Sequence, residues 1–305
     1  MSSKKVQKPF LKWVGGKTQI INQIINTVPK AMDNYHEIFL GGGSVLFAIL
    51  SLVQQEKITI NHKIYAYDIN ENLIGLYKNV QTNKDELFKN VEYLVKEYNS
   101  CTGDIVNRNP QTQEEATTSK ESYYYWCRNK FNILWNNNDK NSVDSSALFM
   151  FLNKTCFRGM YREGPNGFNV PYGHYKKTPA VLVKEQLDTV SELIQDVEFY
   201  CLDFKESLKN IQPGDFVYLD PPYAPENSKS FVGYTKDGFD IKTHNELFRQ
   251  IKELDRKDIK FAMSNANVQL VIDNFKGFRC QEIIARRAIN PKKPNSTTTE
   301  VIIYN

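Results

Sequence analysis

The stretch with the clearest capacity for chemistry in this sequence is Asp220-Pro221-Pro222-Tyr223. It follows residues 216–219 (FVYL), a short apolar run that predicts a buried parallel strand, and open α/β sheets bind ligands at the carboxyl ends of such strands. The prolines end the strand and lack an N–H, so the carbonyls there can accept hydrogen bonds. A carboxylate, accepting carbonyls and an aromatic ring together suit a planar group that carries an NH2. The tetrapeptide alone is also compatible with a proline turn in which the Asp is a cap and the Tyr packs beneath it.

A glycine-rich turn is predicted to form a second site. Residues 35–47 (YHEIFLGGGSVLF) are typical of a short strand, a turn and a helix that Ser44 would cap. The glycines can adopt φ > 0 and let the main chain approach a ligand, as in nucleotide-binding folds. Residues 63–67 form a further predicted strand that ends at Asp68, and an acidic residue at this place typically binds ribose hydroxyls. Asp68 could also cap the helix predicted from Glu71, and the two roles are compatible.

A basic, aromatic loop precedes the first predicted helix. Residues 9–18 read PFLKWVGGKT, and the final GKT suggests a phosphate-binding loop. That motif needs a glycine where Leu11 stands, so we reject this interpretation. A loop that presents Trp13 and Lys17 to an anionic ligand with an aromatic part remains the prediction. The helix that follows is expected over residues 18–28, with its isoleucines on one stripe.

Residues 147–176 are the most distinctive part of the sequence. An apolar helix is predicted to lead into a segment of alternating aromatics and arginines that contains the turn-forming run 164–167 (GPNG). This pattern indicates a β-hairpin with a tight loop, and we expect Phe157, Arg158, Met160 and Arg162 close together at its tip. Hairpins that carry arginines can enter a DNA major groove, where arginine binds guanine.

The charge distribution favours a polyanionic partner. The net charge of the 305 residues is only +4, but basic residues crowd three segments in which acidic residues are sparse. The segments contain Lys4, Lys5, Lys8, Lys12 and Lys17; Lys154, Arg158, Arg162, Lys176 and Lys177; and Arg286, Arg287, Lys292 and Lys293. The alternative is three solvated basic loops, which charge alone does not exclude.

Composition narrows the class of protein. The chain is 41% hydrophobic and 24% charged, as expected for a globular protein, and no apolar run approaches the roughly 20 residues of a membrane span. The five cysteines are scattered without a CxxC pair, and the four histidines are isolated, so we expect reduced thiols and no metal site. We expect no signal peptide, no membrane partner and a cytoplasmic protein, in a bacterium or in the host cell of a virus.

Strands and helices are predicted to alternate along most of the chain, which indicates a doubly wound parallel sheet. One long amphipathic helix or a pair of helices is expected over residues 72–99. Further helices are expected to begin at residue 123 and to span 179–194 and 243–254. Further strands are expected at residues 197–202, before Asp203-Phe204, and at 259–263, before Ser264-Asn265. A final β-pair is expected near residues 281–285 and 300–304.

Taken together, these motifs give the chain a family resemblance. It resembles the Dam-type adenine DNA methyltransferases, the alpha group in motif order, over nearly its full length. The matching motifs are FLKWVGGK at 10–17, EIFLGGGSV at 37–45, YAYDIN at 65–70, LDF at 202–204, DPPY at 220–223 and TEVIIYN at 299–305. The segment LNKTCFRGMYR, followed by FNVPYGHYK, is similar to the recognition hairpin of that family. Each motif is weak alone, but the ordered set is highly specific.

The resemblance implies a methyl donor, an acceptor and residues for both. The donor is S-adenosylmethionine and the acceptor is an adenine flipped out of double-stranded DNA. The implied catalytic residues are Asp220, Pro221, Pro222 and Tyr223. The implied donor contacts are Trp13, Lys17, Phe39, Gly41, Gly43, Ser44, Asp68, Asp203, Phe204 and Asp220. The implied DNA contacts are Lys154, Phe157, Arg158, Met160, Arg162, Asn169, Pro171, Tyr175 and Lys176.

The resemblance also implies a fold and a division into domains. The fold is an α/β, doubly wound, seven-stranded Rossmann-like methyltransferase sheet whose seventh strand is antiparallel. A mostly helical target-recognition domain with a β-hairpin is inserted into it. We expect the catalytic domain over residues 1–75 and 178–305 and the recognition domain over 76–177.

The expected target is GATC or a related short palindrome. Met160, Arg162, Pro171 and Tyr175 stand at positions that match family members with this specificity, and Phe157 would wedge into the duplex beside the vacated site. The chain departs from the family at Arg158, where Asn is usual, and this arginine could read another base or bind phosphate.

Three other functions are weighed against this one. A cytosine-N4 methyltransferase would more often have Ser in place of Asp220, and a glutamine methyltransferase typically has Asn there and lacks the basic hairpin. A catalytically inactive DNA-binding regulator fits the hairpin but not the intact DPPY and Asp68. A cognate restriction endonuclease is left open as a partner, and a monomer or weak dimer is expected.

Overall fold

The computed structural model describes residues 6–177, 179–225, 238–286 and 297–305. The chain forms two compact units, here called the sheet unit and the helical unit. The sheet unit comprises Met1–Lys8, Lys17–Ile69 and Asp196–Asn305. The helical unit comprises Pro9–Gly16 and Asn70–Gln195.

The helical unit is wider than the recognition domain expected over residues 76–177. Helix α3 (Glu71–Thr82) packs against helix α7 (Val143–Thr155), and helix α8 (Lys184–Leu193) packs against α3. Because both flanking helices bury their apolar faces within this unit, the chain changes unit near Ile69 and Asp196.

A seven-stranded mixed sheet forms the core of the sheet unit, as predicted. Its order is β10, β11, β9, β8, β2, β4, β7. These strands are β10 (Arg279–Arg286), β11 (Thr297–Tyr304), β9 (Lys260–Ala266), β8 (Phe216–Leu219), β2 (Tyr35–Ile38), β4 (Ile64–Asp68) and β7 (Val197–Cys201). Strand β11 runs antiparallel to both of its neighbours, and the pairs from β9 to β7 are parallel. The expected antiparallel strand and final β-pair are therefore confirmed.

The central strands are short, apolar and aligned at their ends. All four residues of β2 and all four of β8 are buried, which fits strands covered on both faces. In the register, Ile38 pairs with both Leu219 and Tyr67. The residues that follow β2, β8 and β4 therefore emerge at the same edge of the sheet.

Within the described ranges, five helices accompany this sheet. They are α1 (Ile21–Ile25), α2 (Ser44–Val53), α9 (Phe204–Ser207), α10 (Ile241–Arg256) and α11 (Gln269–Asn274). Leu247, Phe248 and Ile251 of α10 belong to the same buried cluster as Val217 and Leu219 of β8. A separate two-stranded parallel sheet pairs β1 (Ala31–Met32) with β3 (Thr59–Ile60). Helix α1 is shorter than the expected 18–28, because turns replace the helix at both of its ends.

The helical unit is built from α3, α7, α8 and three further helices. These are α4 (Lys84–Ser100), α5 (Gln113–Ala116) and α6 (Lys120–Asn136). Helix α7 packs against α3, α4 and α6, and Phe149 and Phe151 on it are fully buried. Tyr123 and Tyr124 of α6 are buried as well, which agrees with a core role for the aromatic run that opens this helix.

A short antiparallel hairpin lies in the helical unit. It pairs β5 (Glu163–Gly164) with β6 (Gly167–Phe168), and Pro165 and Asn166 form its loop. The expected tight turn is therefore confirmed, but Phe157–Gly159 form a separate 3-10 turn before the hairpin. The prediction that Phe157 and Arg158 lie at the hairpin tip is wrong, because they form this turn next to the bridge between Cys156 and Tyr172, whereas the tip is Pro165-Asn166.

No helix in the described part of the chain is long and apolar enough to cross a membrane.

Candidate active site

Asp220 lies at the carboxyl end of β8 and forms an ion pair with Lys17. The Lys17 Nζ atom is 2.8 Å from Asp220 Oδ2, and the Lys17 side chain is almost fully buried. The same ammonium lies 4.9 Å from the centroid of the Tyr223 ring. Burial raises the pKa of Asp220 to about 6, against the charge and hydrogen bond of Lys17, which lower it. The carboxylate is therefore ionised at neutral pH with an N–H donor already bound to it.

The turn after Asp220 is fastened to two other strands. The Tyr223 hydroxyl donates a hydrogen bond to Glu300 Oε2 of β11 at 2.7 Å. The backbone N–H of Ala224 donates to Oδ1 of the buried Asn265, on β9, at 2.9 Å. These two bonds fix the direction of the chain after the prolines, and the first also fixes the aromatic ring.

A second carboxyl group, fully buried, lies within strand β2. Glu37 accepts hydrogen bonds from the Tyr35 hydroxyl, at 2.6 Å, and from the backbone N–H of Leu46. Burial, together with the charge of Asp220, raises the pKa of Glu37 to about 8, against the two hydrogen bonds, which lower it. Glu37 is therefore mostly protonated at neutral pH and adds little negative charge beside Asp220.

The glycine turn after β2 is held in an unusual backbone conformation. Phe39, Gly41 and Gly43 have φ of 69°, 51° and 70°. A side chain at either glycine would be strained at these angles. The Gly41 N–H donates to Asp68 Oδ2 at 2.9 Å, which joins the turn to the end of β4. The sequence placed these residues together, and the structure does the same.

Ser44 and Asp68 are not helix caps. Gly43 occupies the N-cap position of α2 with no side-chain cap, and Ser44 Oγ instead accepts the backbone N–H of Lys17 at 3.0 Å. Helix α3 is capped by Asn70, whose side chain accepts the N–H of Leu73. The cap prediction for Ser44 is wrong because the left-handed Gly43 itself begins the helix.

Asp203 and Phe204 lie where β7 leads into α9. The Asp203 carboxylate accepts the Lys205 N–H at 2.9 Å and caps this short helix. The Phe204 ring is buried with its centroid 5.9 Å from that of Phe39. Phe239 lies 5.9 Å from Phe204 and extends the aromatic cluster. The ends of β2 and β7 thus contribute neighbouring rings.

Trp13 belongs to the helical unit. Its ring stacks on Tyr161 with centroids 5.5 Å apart and meets Phe149 edge-on at 6.2 Å. The preceding residue, Lys12, is anchored by Asn153, which accepts its N–H at 2.9 Å and donates to its carbonyl at 2.7 Å. The loop that carries Trp13 is therefore fixed onto α7.

The turn Phe157–Gly159 displays an aromatic ring and a guanidinium. Phe157 is 43% exposed, and the Arg158 guanidinium lies 5.2 Å from its ring centroid. Arg158 has φ of 58°, in the left-handed region that Asn tolerates better than Arg. Gly159, also left-handed, lets the side chain of Lys12 pack against the turn.

The remaining predicted DNA contacts surround this turn within the helical unit. The Pro171 carbonyl accepts a hydrogen bond from the Phe157 N–H at 2.8 Å, and the Tyr175 hydroxyl donates one to the Cys156 carbonyl at 2.9 Å. Burial, aided by the charge of Lys12, lowers the pKa of Lys154 to about 8. The exposed members are Phe157, Arg158, Arg162, Asn169, Pro171 and Lys176, and the half-buried ones are Lys154, Met160 and Tyr175.

Arg162 is held by the strand that follows the hairpin loop. Its Nε donates to Asn169 Oδ1 at 2.7 Å, while the Asn169 N–H donates to the Arg162 carbonyl at 3.1 Å. Asn169 therefore fixes the orientation of the Arg162 side chain. The third basic segment, at Arg286, Arg287, Lys292 and Lys293, lies outside the described residues apart from the backbone of Arg286.

Comparison with known proteins identifies the family. The model of the D12 class N6 adenine-specific DNA methyltransferases matches residues 13–289. The chain belongs to this family. The D12 methyltransferase family therefore covers both units and every residue of the candidate active site except Glu300.

Related proteins align along nearly the whole chain. Type II methyltransferase M.MjaIII of Methanocaldococcus jannaschii is 37% identical over 98% of this chain and 99% of that protein. Type II methyltransferase M1.LlaDCHI of Lactococcus lactis subsp. cremoris is 32% identical over 98% of this chain and 95% of that protein. The DNA adenine methylase of Escherichia coli K12 is 27% identical over 94% of this chain and 90% of that protein.

Membership of the D12 class decides between the chemistries that the sequence left open. The protein is an adenine-specific DNA methyltransferase, which agrees with the prediction, and the cytosine and glutamine alternatives have no support from the family match.

Three residues of this D12 methyltransferase site were missed by the sequence analysis. Glu300, Asn265 and Glu37 all contact or flank the Asp220 turn. Glu300 and Asn265 lie within regions marked as a motif and a strand end, but their partners depend on the pairing of β9 with β11. The signal that could have found Glu37 is a charged residue in a strand expected to be covered on both faces.

Proposed function

We propose that the protein transfers the methyl group of S-adenosylmethionine to N6 of an adenine flipped out of duplex DNA, and that Asp220, Pro221 and Tyr223 bind that base. The observation that carries this proposal is the geometry around Asp220. The Lys17 ammonium, an N–H donor, is already paired with the Asp220 carboxylate and also lies over the Tyr223 ring. An exocyclic amino group on a stacked purine would make the same two contacts.

The residues at the carboxyl ends of β2, β4 and β7 fit the donor. The left-handed glycine turn would bring main-chain N–H groups to the amino-acid end of the donor. Asp68 would accept hydrogen bonds from the ribose hydroxyls of the donor. Asp203 and the ring of Phe204 would flank its adenine. When bound, S-adenosylmethionine supplies a methyl group activated by the adjacent sulfonium.

Other proposed donor contacts differ in how directly the geometry supports them. Ser44 acts through Lys17, because its hydroxyl oxygen accepts a hydrogen bond from the Lys17 backbone N–H. The ammonium of Lys17 is in turn paired with the Asp220 carboxylate. Gly43 shapes the turn through its left-handed backbone. Trp13 is proposed on the family resemblance alone.

The base-binding residues would activate the nitrogen without forming a bond to it. The Asp220 carboxylate and the Pro221 carbonyl would accept the two N–H bonds, which favours a more tetrahedral and more nucleophilic nitrogen. Pro222 would keep the turn rigid, and stacking on Tyr223 would contribute about 1–3 kcal/mol to binding of the flipped base. Most of the rate enhancement would come from this positioning. Because Lys17 is bound to Asp220, it must move when the amino group arrives.

We propose GATC, or a related short palindrome, as the target, read by the helical unit. Arg162, aimed by Asn169, would contact a guanine, and Met160, Pro171 and Tyr175 would line the groove. Phe157 would fill the gap left by the flipped base. Arg158, Lys154 and Lys176 would bind phosphates and raise the affinity without selecting sequence.

The proposal is tested with purified protein, unmethylated plasmid and labelled S-adenosylmethionine, followed by mass spectrometry of the nucleosides. We expect label in N6-methyladenosine and protection of GATC sites against nucleases that sense their methylation. Label in N6-methyladenosine without protection at GATC would overturn the target but keep the reaction. No label in any nucleoside, with the donor bound, would overturn the reaction.

A further inference from the structure

Glu300 lies in the active-site edge of the sheet because its strand runs backwards. Strand β11 is antiparallel to β9, so the first residues of β11 lie beside the last residues of β9. Glu300 pairs with Ala266, at the end of β9, one residue after Asn265. Both strands therefore contribute a polar side chain to the turn that follows β8.

The contact between Glu300 and Tyr223 is specific and partly shielded. The Tyr223 hydroxyl donates to Glu300 Oε2 at 2.7 Å, and both residues are half-buried. The acceptor is a carboxylate, which makes this bond stronger than one between neutral groups. The orientation of the Tyr223 ring is set by two side-chain torsions, so a bond at its far end restricts the ring as a whole.

We propose that Glu300 is a positioning residue that holds the ring of Tyr223 in the orientation required to receive the target base. The inference rests on the proposed function, in which Tyr223 stacks on that base. Without the bond the ring would sample other orientations, and the free energy of stacking would be reduced by the cost of ordering the ring. The residue acts through Tyr223 and does not touch the base.

The charge of Glu300 has a second consequence at Asp220. Among the described residues, the charged and titratable groups around Asp220 include Lys17, Glu37, Tyr218, Tyr223 and Glu300. Lys17 favours the ionised form of Asp220, whereas the negative charge of Glu300 opposes it. Removing this charge while the other groups stay in place lowers the pKa of Asp220, so the acid limb of activity moves to lower pH.

A double-mutant cycle tests the positioning role. Tyr223→Phe and Glu300→Ala each remove one partner of the same bond, and the double variant removes both. We expect each single variant to slow methyl transfer by about tenfold, the equivalent of one well-formed hydrogen bond, and the double variant to be no slower than either. Effects that multiply in the double variant would overturn the proposal, as would a Tyr223→Phe variant with wild-type rate.

Two further readouts separate positioning from a merely structural role. The fluorescence of 2-aminopurine, placed at the target position of a duplex, is quenched when the flipped base stacks on an aromatic ring. We expect this quenching to be weaker in both single variants than in the wild type. Glu300→Gln keeps an acceptor for the Tyr223 hydroxyl, so we expect near-normal quenching and rate, with the acid limb at lower pH. Unchanged quenching in Glu300→Ala, or a Glu300→Gln variant as slow as Glu300→Ala, would contradict the proposal.

Controls keep the inference distinct from the function on which it rests. Glu282→Ala removes an exposed carboxylate from the neighbouring strand β10 and should change neither rate nor quenching. If Glu300→Ala does not fold, Glu300→Gln and Tyr223→Phe carry the test. Absence of DNA methylation by the wild type would refute the proposed function, whereas normal wild-type activity with additive variants would refute only the role of Glu300.

Discussion

The ammonium of Lys17 lies 2.8 Å from Asp220 Oδ2 and 4.9 Å from the centroid of the Tyr223 ring. The ammonium thus pairs with a half-buried carboxylate that would otherwise be costly to keep ionised. An adenine amino group that replaced it would meet an acceptor already charged and a ring already in place. The ion pair therefore prepares Asp220 for its proposed role and must open before that role begins.

Replacing Lys17 should move the pH dependence of the reaction. In Lys17→Met the carboxylate loses the neighbour whose charge and hydrogen bond lower its pKa, and burial alone raises it further. We expect the acid limb to rise by about 1 pH unit or more, with slow transfer at neutral pH that recovers in alkali. The measurement is the methylation rate between about pH 5 and 9. Lys30→Met, at an exposed site of the same unit, should leave the profile unchanged.

The wild-type protein should lose activity as Asp220 takes up a proton. Its pKa is raised by burial to about 6, and the ionised carboxylate is a stronger acceptor for an amino N–H than the protonated acid. The rate should therefore be full above this value and fall as the pH drops through it. The profile of kcat/KM, which reports the free enzyme, checks this. An acid limb near pH 4, the ordinary range of an aspartate, would show that burial does not control the group.

Donor affinity should depend on Asp68 through two contacts. Its carboxylate accepts the Gly41 N–H, and it is proposed to bind the ribose hydroxyls. Asp68→Ala should weaken binding of S-adenosylhomocysteine by about tenfold or more, since it removes hydrogen bonds to a charged group. Calorimetric titration measures this without catalysis. Asp258→Ala, at an exposed site, is the matched control, and equal affinities in the two variants would remove Asp68 from the donor site.

Arg158 should affect stability and DNA binding in opposite directions. Asn tolerates a φ of 58° better than Arg, so Arg158→Asn should raise the free energy of unfolding by roughly 0.5–1 kcal/mol. If Arg158 binds phosphate, the variant should bind DNA more weakly at every sequence, with a salt dependence reduced by about one ion. Equilibrium unfolding and binding at several salt concentrations measure the two effects.

Glu56→Asn provides the control for Arg158. Glu56 has φ of 58° but belongs to the sheet unit, so the substitution should stabilise without changing DNA affinity. A change in the methylated sequence in Arg158→Asn, detected by mapping the modified sites, would contradict phosphate binding and indicate base readout.

The sheet and the residues at its edge could be predicted because they depend on local patterns. Four consecutive apolar residues before Asp220 and a glycine run after Ile38 predict strands and turns without reference to the rest of the chain. Parallel strands then bring their carboxyl ends together whatever lies between them, which placed Gly41 beside Asp68 correctly. The roles assigned to Trp13, Asp203 and the DNA contacts remain predictions.

Other features could not be predicted because they depend on pairing between distant segments. Glu300 reaches Tyr223 only because β11 is antiparallel and in one particular register with β9. Lys17 reaches Asp220 across the sheet unit, although the sequence suggested only a ligand contact. Arg158 precedes the hairpin because a left-handed residue turns the chain early, and sequence patterns do not predict such a conformation for arginine.

The most direct test of the central claim is the single-turnover rate of methyl transfer to a duplex by Asp220→Ala, compared with the wild type. The variant should keep its fold and still bind S-adenosylhomocysteine, because Asp68 and the glycine turn remain. We expect the formation of N6-methyladenine to fall below detection. Transfer at a rate close to that of the wild type would contradict the account, since the amino group would then be activated without the carboxylate at the end of β8.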